Sequence, residues 1–478
     1  MLFNSLPFIL AFLPLTFGIY FWLLSKRLIL GAKTWLVTAS LFFYAYWKVS
    51  YLPLILTSIA VNFVIGSALQ SSLKIARKPF LICGLLFNVG LLAYYKYTDF
   101  FITNFNALAG TQIPLQHIVL PLAISFFTFQ QIAYLVDSYR GLTKEYDFLS
   151  YALFVSFFPQ LIAGPIVHHK ELIPQFANKK NYIRNYRNIA SGVLIFLIGL
   201  FKKAVVADTL SAYVACGFAS ETSLNMAEGW LTSLAYTLQI YYDFSGYCDM
   251  AFGAAKLLNI TLPINFNSPY KALNIQDFWR RWHITLSRFL RDYIYIPLGG
   301  NRVAAWHNYL NLFAVFFIGG LWHGASWTFI AWGTLHGLAT IVHRLWSQTK
   351  IRLPKFLSWL ITFNFVNITW IFFRAENFSS ATKVLSAMLN FDSLRGLASY
   401  KPKFLFQNLG LRSSDMEFVI VFFIVLLLFI NSNEILQKFK IKNSRQSRIC
   451  GIAIGAAFIL LIAKLVFVPY SEFIYFNF

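Results

Sequence analysis

The chain has 478 residues, of which 58% are hydrophobic and only 12% are charged, and its mean hydropathy is +0.60. Soluble domains contain about 25% charged residues, so this composition excludes a soluble globular protein and indicates a polytopic membrane protein. The formal net charge of +22 is distributed over short basic connectors between apolar segments. Since no long polar block interrupts those segments, we expect a single membrane domain over residues 1–478.

Apolar segments of membrane-span length follow one another along the chain. They lie near 5–24, 34–49, 52–69, 79–95, 114–136, 189–206, 228–245, 326–345, 354–373, 417–432 and 449–468. Further apolar segments are flanked by Pro or Gly and could be either full spans or re-entrant pieces, namely those near 148–167, 248–260 and 308–321. The pattern predicts an all-α membrane protein with about 10 to 12 crossings.

Short basic connectors set the expected orientation of these segments. Lys26 and Arg27 follow the first apolar segment, Arg77 and Lys78 precede the fourth, and residues 344–355 form another basic connector. Basic loops of membrane proteins are enriched on the cytoplasmic side. We therefore expect these connectors in the cytoplasm and the start of the chain outside.

Residues 276–302 read QDFWRRWHITLSRFLRDYIYIPLGGNR and combine apolar and basic side chains at helical spacing. A period of 3.6 residues places the large apolar side chains on one face and several charged side chains on the opposite face. The i,i+4 pairs Asp277–Arg281 and Arg288–Asp292 would stabilise such a helix. The stretch therefore predicts one amphipathic helix over residues 276–292, lying at the cytoplasmic membrane surface.

His283 falls at the edge of the apolar face of this predicted helix, beside Arg280 and Arg291 on the polar flank. An imidazole at that place can face the protein while the arginines bind an anion. Alternatively, the arginines bind only lipid head groups and His283 packs among them. Periodicity by itself leaves both interpretations open.

His323 lies in the stretch GGLWHGASW, 21 residues from Arg302 and 21 residues from Arg344. If the chain leaves the cytoplasmic side at the first arginine and returns at the second, His323 lies at the turning point, since ~21 helical residues rise ~31 Å. The glycines around it disfavour a continuous helix, and a broken helix rises less. His323 should therefore lie inside the hydrocarbon layer of the membrane and not beyond it. An ionisable residue there is functional by default, the alternative being a histidine hydrogen-bonded to a neighbouring helix.

Five stretches have a common resemblance. They are WRRWHITLSRFLRDYIYIPLGGNR, LWHGASWTFIAWGTLHG, SFFTFQQIAYLVDSYRG, FFPQLIAGPI and YTLQIYYDFSGYCDMAFG. Together they resemble the membrane-bound O-acyltransferase (MBOAT) family, and within it the bacterial subgroup that includes the membrane component of alginate O-acetylation. The resemblance extends to about residue 375. It implies a ring of helices around a central tunnel, with an acyl group passing from a cytoplasmic thioester to a hydroxyl on the opposite side.

The resemblance also implies roles for particular residues. The catalytic histidine of the family's WHG motif corresponds to His323, which would remove the proton of the acceptor hydroxyl as general base. The second histidine of the family corresponds to His283, which would orient the donor or stabilise the oxyanion. Basic side chains would bind donor phosphates, namely Arg280, Arg281, Arg288, Arg291 and Arg302. Candidates for lining the tunnel are Trp322, Asp243 and Gln239, although the last two could instead tie helices together.

The sequence thus predicts an O-acyltransferase of the bacterial inner membrane, with acetyl as the expected group. The donor would be acetyl-CoA or an acyl carrier, used as a substrate, with no bound cofactor and no metal. Expected partners are membrane lipids and an extracytoplasmic acyltransferase or polysaccharide-modifying protein, with no nucleic acid. Exopolysaccharides, peptidoglycan and teichoic acids all remain open as acceptors. The competing class is a transporter or channel that uses His323 as a proton relay.

Overall fold

The computed structural model describes residues 1–70, 77–143, 147–219, 223–393, 413–428, 431–439, 444–467 and 473–477. Within these ranges the regular structure is helical and contains no β-strand. Six helices of the described chain are long and apolar enough to cross a membrane. The prediction of an all-α polytopic membrane protein is therefore confirmed.

The first half of the chain forms ten α-helices within the described ranges. After a π-helical turn at Pro7–Phe12 they are α1 (Leu13–Ser25), α2 (Ile29–Ala45), α3 (Leu52–Gln70), α4 (Arg77–Ala109), α5 (Ile124–Tyr139), α6 (Phe148–Ser156), α7 (Phe158–Leu161), α8 (His169–Ala177), α9 (Tyr186–Phe201) and α10 (Asp208–Phe218). Helices α6 and α7 have only 9 and 4 residues. Because a helical span needs about 20 residues, the apolar segment near 148–167 does not cross the membrane as one helix.

The second half continues with longer helices and a broken segment between them. They are α11 (Met226–Leu257), α12 (Ile275–Arg281), α13 (Ile284–Leu290), α14 (Ala305–His323), α15 (Trp327–Trp346), α16 (Lys355–Arg374), α17 (Phe378–Met388), α18 (Ser413–Leu428), α19 (Ser432–Lys438) and α20 (Ser444–Phe467). Helices α11, α14 and α15 have the length of a span but a composition too polar to count among the six apolar ones. With α2, an apolar helix of 17 residues, they bring the described helices of about span length to ten, and the number of crossings stays a prediction.

Helix α11 is buried along most of its length and packs closely against α9. A Cβ added at Gly199 of α9 would lie 2.5 Å from the carbonyl oxygen of Gly246 on α11. A Cβ added at Gly253 of α11 would lie 2.7 Å from the carbonyl oxygen of Gly192 on α9. Small residues at such positions allow the backbones of two membrane helices to touch. Helix α11 is thereby fixed at the centre of the fold.

Helices α14 and α15 pack against each other as a hairpin that turns at His323. Helix α14 ends at His323, Gly324 is extended, and the Ser326 hydroxyl caps the start of α15. The predicted position of His323 at a turn is therefore confirmed. The expectation that glycines interrupt the helix is confirmed at Gly324 but is wrong for Gly319 and Gly320, which lie inside α14.

Candidate active site

An open cavity of about 510 Å³ extends from a group of arginines to His323. Its volume falls within the range of about 300–1,000 Å³ that is typical of small-molecule sites. Its walls belong to α12, α13, α14 and α15 and to the π-helical turn after α13. Its charged lining side chains are Arg280, Arg288, Arg291 and Arg344, and the imidazole of His323 lines it as well. The cavity thus joins a strongly basic region to a buried imidazole.

Three of the five predicted donor-binding arginines line this cavity, and two do not. Arg281 instead forms the predicted i,i+4 ion pair with Asp277, at 2.9 Å, so this pair is confirmed. Arg302 lies in the turn before α14, where its backbone N–H donates to the carbonyl of Gly299 at 3.1 Å. Arg344, at the end of α15, joins the basic group although its place in the sequence marked it only as part of a connector.

The prediction of one continuous helix over residues 276–292 is wrong. Helix α12 ends at Arg281, His283 has a left-handed backbone with φ of 42°, and α13 begins at Ile284. Asn265 lies across this break: its backbone carbonyl accepts a hydrogen bond from the Ile284 N–H at 3.0 Å, and its Oδ1 lies 3.2 Å from His283 Nδ1. These tertiary hydrogen bonds compete with the helical periodicity and outweigh it.

The break also changes the ion pairs. Arg288 does not pair with Asp292 as predicted, but donates to both carboxylate oxygens of Glu171 on α8, at 2.5 and 2.8 Å. Asp292 accepts two hydrogen bonds from Arg291, at 2.7 and 3.2 Å. Burial raises the pKa of the Glu171 carboxyl, but the hydrogen bonds and charge of Arg288 outweigh this and leave the pKa below its ordinary value. An anion in the cavity would therefore compete with Glu171 for Arg288.

His283 is fully buried, which agrees with an imidazole that faces the protein, but it does not line the cavity with Arg280 and Arg291. Its left-handed backbone lies at the break between α12 and α13, and its ring packs edge-on against Phe244, with ring centroids 4.8 Å apart. Its Nε2 has no hydrogen-bond partner among the described residues. A buried polar atom without a partner is costly, so this nitrogen is available to a ligand or water.

His323 lies at the inner end of the cavity and is 2% exposed. Its ring is enclosed by Trp332 and Phe373, with centroid distances of 5.1 and 5.0 Å. Its Nδ1 has no hydrogen-bond partner within the described part of the chain. For this nitrogen the structure therefore gives no support to the alternative of a histidine hydrogen-bonded to a neighbouring helix.

Two aromatic side chains lie against both histidines. The ring of Trp322 is 4.9 Å from that of His323 and 6.3 Å from that of His283, and the corresponding distances for Tyr475 are 5.7 and 6.4 Å. Trp322 does not line the cavity itself. Tyr475 belongs to residues 473–477 near the end of the chain, which no sequence motif connects with the site. The two shared neighbours place both histidines in one buried cluster.

Asp243 and Gln239, predicted as possible tunnel residues, do not line this cavity. Asp243 forms a buried ion pair with Lys203 at 2.7 Å and accepts a hydrogen bond from the backbone N–H of Ile474 at 2.8 Å. A buried carboxylate needs such partners, and here they anchor the segment that carries Tyr475. Gln239 lies one helical turn earlier on α11 and is also buried. The sequence left Asp243 either to line the tunnel or to tie helices together, and its contacts support the second role.

These side chains define what the site can do chemically. A buried histidine at the end of an open cavity can exchange a proton with a bound substrate, and the arginines nearby can hold phosphate or carboxylate groups. No group of three or more His, Cys, Asp or Glu side chains among the described residues is arranged to hold a metal ion. An ionisable side chain buried in a membrane protein is a functional-site hypothesis by default, and here it lies beside groups that can bind an anion.

Comparison with known proteins identifies the class of enzyme. Residues 47–382 match the MBOAT, membrane-bound O-acyltransferase family, so the chain belongs to this family and is an O-acyltransferase. The resemblance of the five sequence stretches to this family is confirmed. Membership also decides against the transporter or channel interpretation.

Several relatives extend this assignment. The chain is 48% identical to the peptidoglycan O-acetyltransferase of Helicobacter pylori, over 100% of this chain and 98% of that protein. It is 40% identical to a Pseudomonas aeruginosa protein named probable alginate O-acetylase AlgI, over 82% of this chain and 75% of the relative. A teichoic acid D-alanyltransferase of Bacillus subtilis is 27% identical, over 55% of this chain and 71% of that protein.

Proposed function

We propose that this chain transfers an acetyl group from a cytoplasmic thioester to a hydroxyl on the outer side of the bacterial inner membrane, as a step of peptidoglycan O-acetylation. The Helicobacter pylori relative aligns with this chain over almost the full length of both proteins, and its name gives peptidoglycan as the acceptor. The alginate relative aligns with only 82% of this chain. An extracytoplasmic acyltransferase would complete the delivery to the polymer. An alginate-like exopolysaccharide is the second candidate acceptor.

The observation that carries the proposal is the cavity that joins the arginines to His323. Coenzyme A and the phosphopantetheine arm of a carrier protein share one design, with phosphate at one end and the reactive sulfur at the other. Guanidinium groups bind phosphate with paired hydrogen bonds. Arg280, Arg291 and Arg344 would hold the phosphates, and the thioester would then reach inward toward His323. Arg288 would join them when the ligand displaces Glu171.

The proposed reaction is attack of the acceptor oxygen on the thioester carbonyl carbon. His323 takes the hydroxyl proton while the new C–O bond forms, since a neutral imidazole is suited to this task. The C–S bond then breaks, and the imidazolium returns its proton to the leaving thiolate. His283 donates from Nδ1 to the Asn265 Oδ1, so the Nε2 of its neutral ring can only accept a hydrogen bond and would orient the thioester beside it; only a protonated ring could stabilise the negative carbonyl oxygen through Nε2. Trp322 and Tyr475 keep the two imidazoles in one enclosed space.

The experiment measures thioester consumption and acetyl transfer by the purified protein in lipid nanodiscs supplied with acetyl-CoA. His323→Ala should lower turnover by about 10²–10⁴-fold, with donor binding retained. His283→Ala should cause a smaller loss, partly through weaker donor binding. His307→Ala is the matched control, because His307 lies exposed on the same helix as His323 and should leave turnover unchanged. Near-normal turnover in His323→Ala would refute the proposed mechanism.

The acceptor is tested separately. Membranes that contain the protein and its native envelope partners are supplied with labelled acetyl-CoA and either peptidoglycan strands or oligomannuronate. Labelled peptidoglycan that disappears with His323→Ala supports the proposal. Label that enters only oligomannuronate would transfer the assignment to an exopolysaccharide.

A further inference from the structure

The end of α14, on which His323 stands, lacks an ordinary helix cap. Gly324 follows with φ of −169° and ψ of 154°, which is extended and not the left-handed conformation that closes many helices. The last carbonyl groups of a helix have no partner inside it. Within a membrane, water is not freely present to replace such partners. Other side chains must therefore supply hydrogen-bond donors at this helix end.

Two consecutive side chains of α4 supply them. Lys96 Nζ donates to the carbonyl of Trp322 and, at 3.1 Å, to the carbonyl of His323. The Tyr97 hydroxyl donates to the carbonyl of Leu321. The carbonyls of three consecutive residues, ending at His323, are thus all bound from one neighbouring helix.

Lys96 also connects this helix end to a third element. Its Nζ lies 3.4 Å from the Ser125 hydroxyl of α5, and it lies 5.9 Å from the ring centroid of Trp322. Hydrogen-bond donors at a helix C-terminus are stabilising because they bind the carbonyl groups that form the negative end of the helix dipole. Lys96 therefore ties α4, α5 and the end of α14 together directly beneath the histidine turn.

Helix α4 is otherwise a peripheral helix. Only 11% of its apolar window is buried inside the protein, and ionisable side chains within a span are costly and mark function. We propose that Lys96 and Tyr97 are positioning residues that hold the backbone of His323, so that its imidazole stays at the end of the donor cavity. This inference rests on the catalytic role proposed for His323. Neither side chain is assigned a contact with substrate.

The first test removes the hydrogen-bond donors of Lys96 and Tyr97 and keeps side chains of similar size. Lys96→Met should lower acetyl transfer about 10- to 100-fold, since a displacement near 1 Å can cost about 10²-fold, while the affinity for acetyl-CoA stays unchanged. Lys96→Arg keeps a cationic donor and should recover part of the loss, and Tyr97→Phe should reduce turnover less than Lys96→Met. Lys78→Met and Tyr94→Phe are matched controls, because both residues are exposed on the same helix.

The second test asks whether Lys96 acts through His323. In a His323→Ala background, Lys96→Met should cause no further loss of the residual turnover, because no imidazole remains to be positioned. Equal losses in both backgrounds, weaker donor binding, or normal turnover in Lys96→Met would each overturn the positioning role. Normal turnover in His323→Ala itself would overturn the proposed function as well, so the two failures are distinguishable.

Discussion

Gly320 lies where α14 and α15 approach closely, and Gly320→Ala tests how precisely the hairpin must hold His323. A Cβ at Gly320 would lie 2.5 Å from the carbonyl oxygen of Phe329 and 3.1 Å from the Cα of Gly333. Ordinary contacts of carbon atoms are about 3.5–4.0 Å. The two helices must therefore separate by roughly 1 Å. His323 is only three residues further along the same helix and would move with it.

Overpacking of this kind costs about 1–3 kcal/mol, and the better helix propensity of alanine offsets about 0.5–1 kcal/mol of it. We therefore expect the unfolding temperature in detergent to fall by only a few degrees. The effect on catalysis should be larger, because a reactive group displaced by ~1 Å can lose ~10²-fold in rate. Gly320→Ala should accordingly fold and bind acetyl-CoA but transfer acetyl about 100-fold more slowly.

Gly90→Ala, inside α4, is the matched control for a glycine-to-alanine change within a helix. Its added Cβ would meet no described atom within 4 Å, so turnover should stay close to that of the unmodified protein. Both variants are assayed for thioester consumption, acetyl transfer and thermal unfolding in one detergent. If Gly320→Ala kept more than half of its activity, or Gly90→Ala lost as much, the argument from helix separation would be refuted.

Two further predictions concern the ends of the site. Arg280→Gln combined with Arg291→Gln should weaken acetyl-CoA binding about tenfold or more, because a charged hydrogen bond to phosphate typically contributes ~1.5–3 kcal/mol. The affinity is measured in a direct binding assay. Unchanged affinity would favour the alternative that these arginines bind lipid head groups. Tyr475→Ala removes the ring that packs against both imidazoles, so acetyl transfer should fall about tenfold or more, because a reactive group displaced by ~1 Å can lose ~10²-fold in rate. Tyr475→Phe keeps the ring and should retain most of the activity, whereas a fully active Tyr475→Ala enzyme would contradict this packing role.

Much of the architecture was predictable because it depends on local composition. Apolar runs separated by basic connectors indicate membrane helices, and the described helices follow most of those runs. The turn at His323 was predictable for a similar reason, since Arg302 and Arg344 bracket it at equal distances along the chain. The two histidine motifs are specific enough to indicate the family from the amino-acid sequence alone.

The contacts between distant segments were decided only by the tertiary structure. Periodicity predicts an unbroken helix through His283, but Asn265, 18 residues earlier, holds a break there. Arg288 pairs with a carboxylate 117 residues away and not with the one four residues ahead. In each case a buried polar group takes the partner that the packed fold brings to it, and helical spacing along one segment contains no information about that partner.

Lys96 and Tyr475 are two further residues whose contacts with the site only the tertiary structure shows. An ionisable residue in an apolar run is a functional signal, but the predicted span 79–95 stopped one residue before Lys96. Even with that signal, nothing in the local pattern connects Lys96 with the carbonyl of a residue 227 positions later, or Tyr475 with two histidines on other segments. The sequence by itself determined the membrane helices and the chemistry of the histidines, because these depend on composition and motif. The assembly of the site required the fold, because hydrogen bonds and ring contacts form between atoms that are close in space and far apart along the chain.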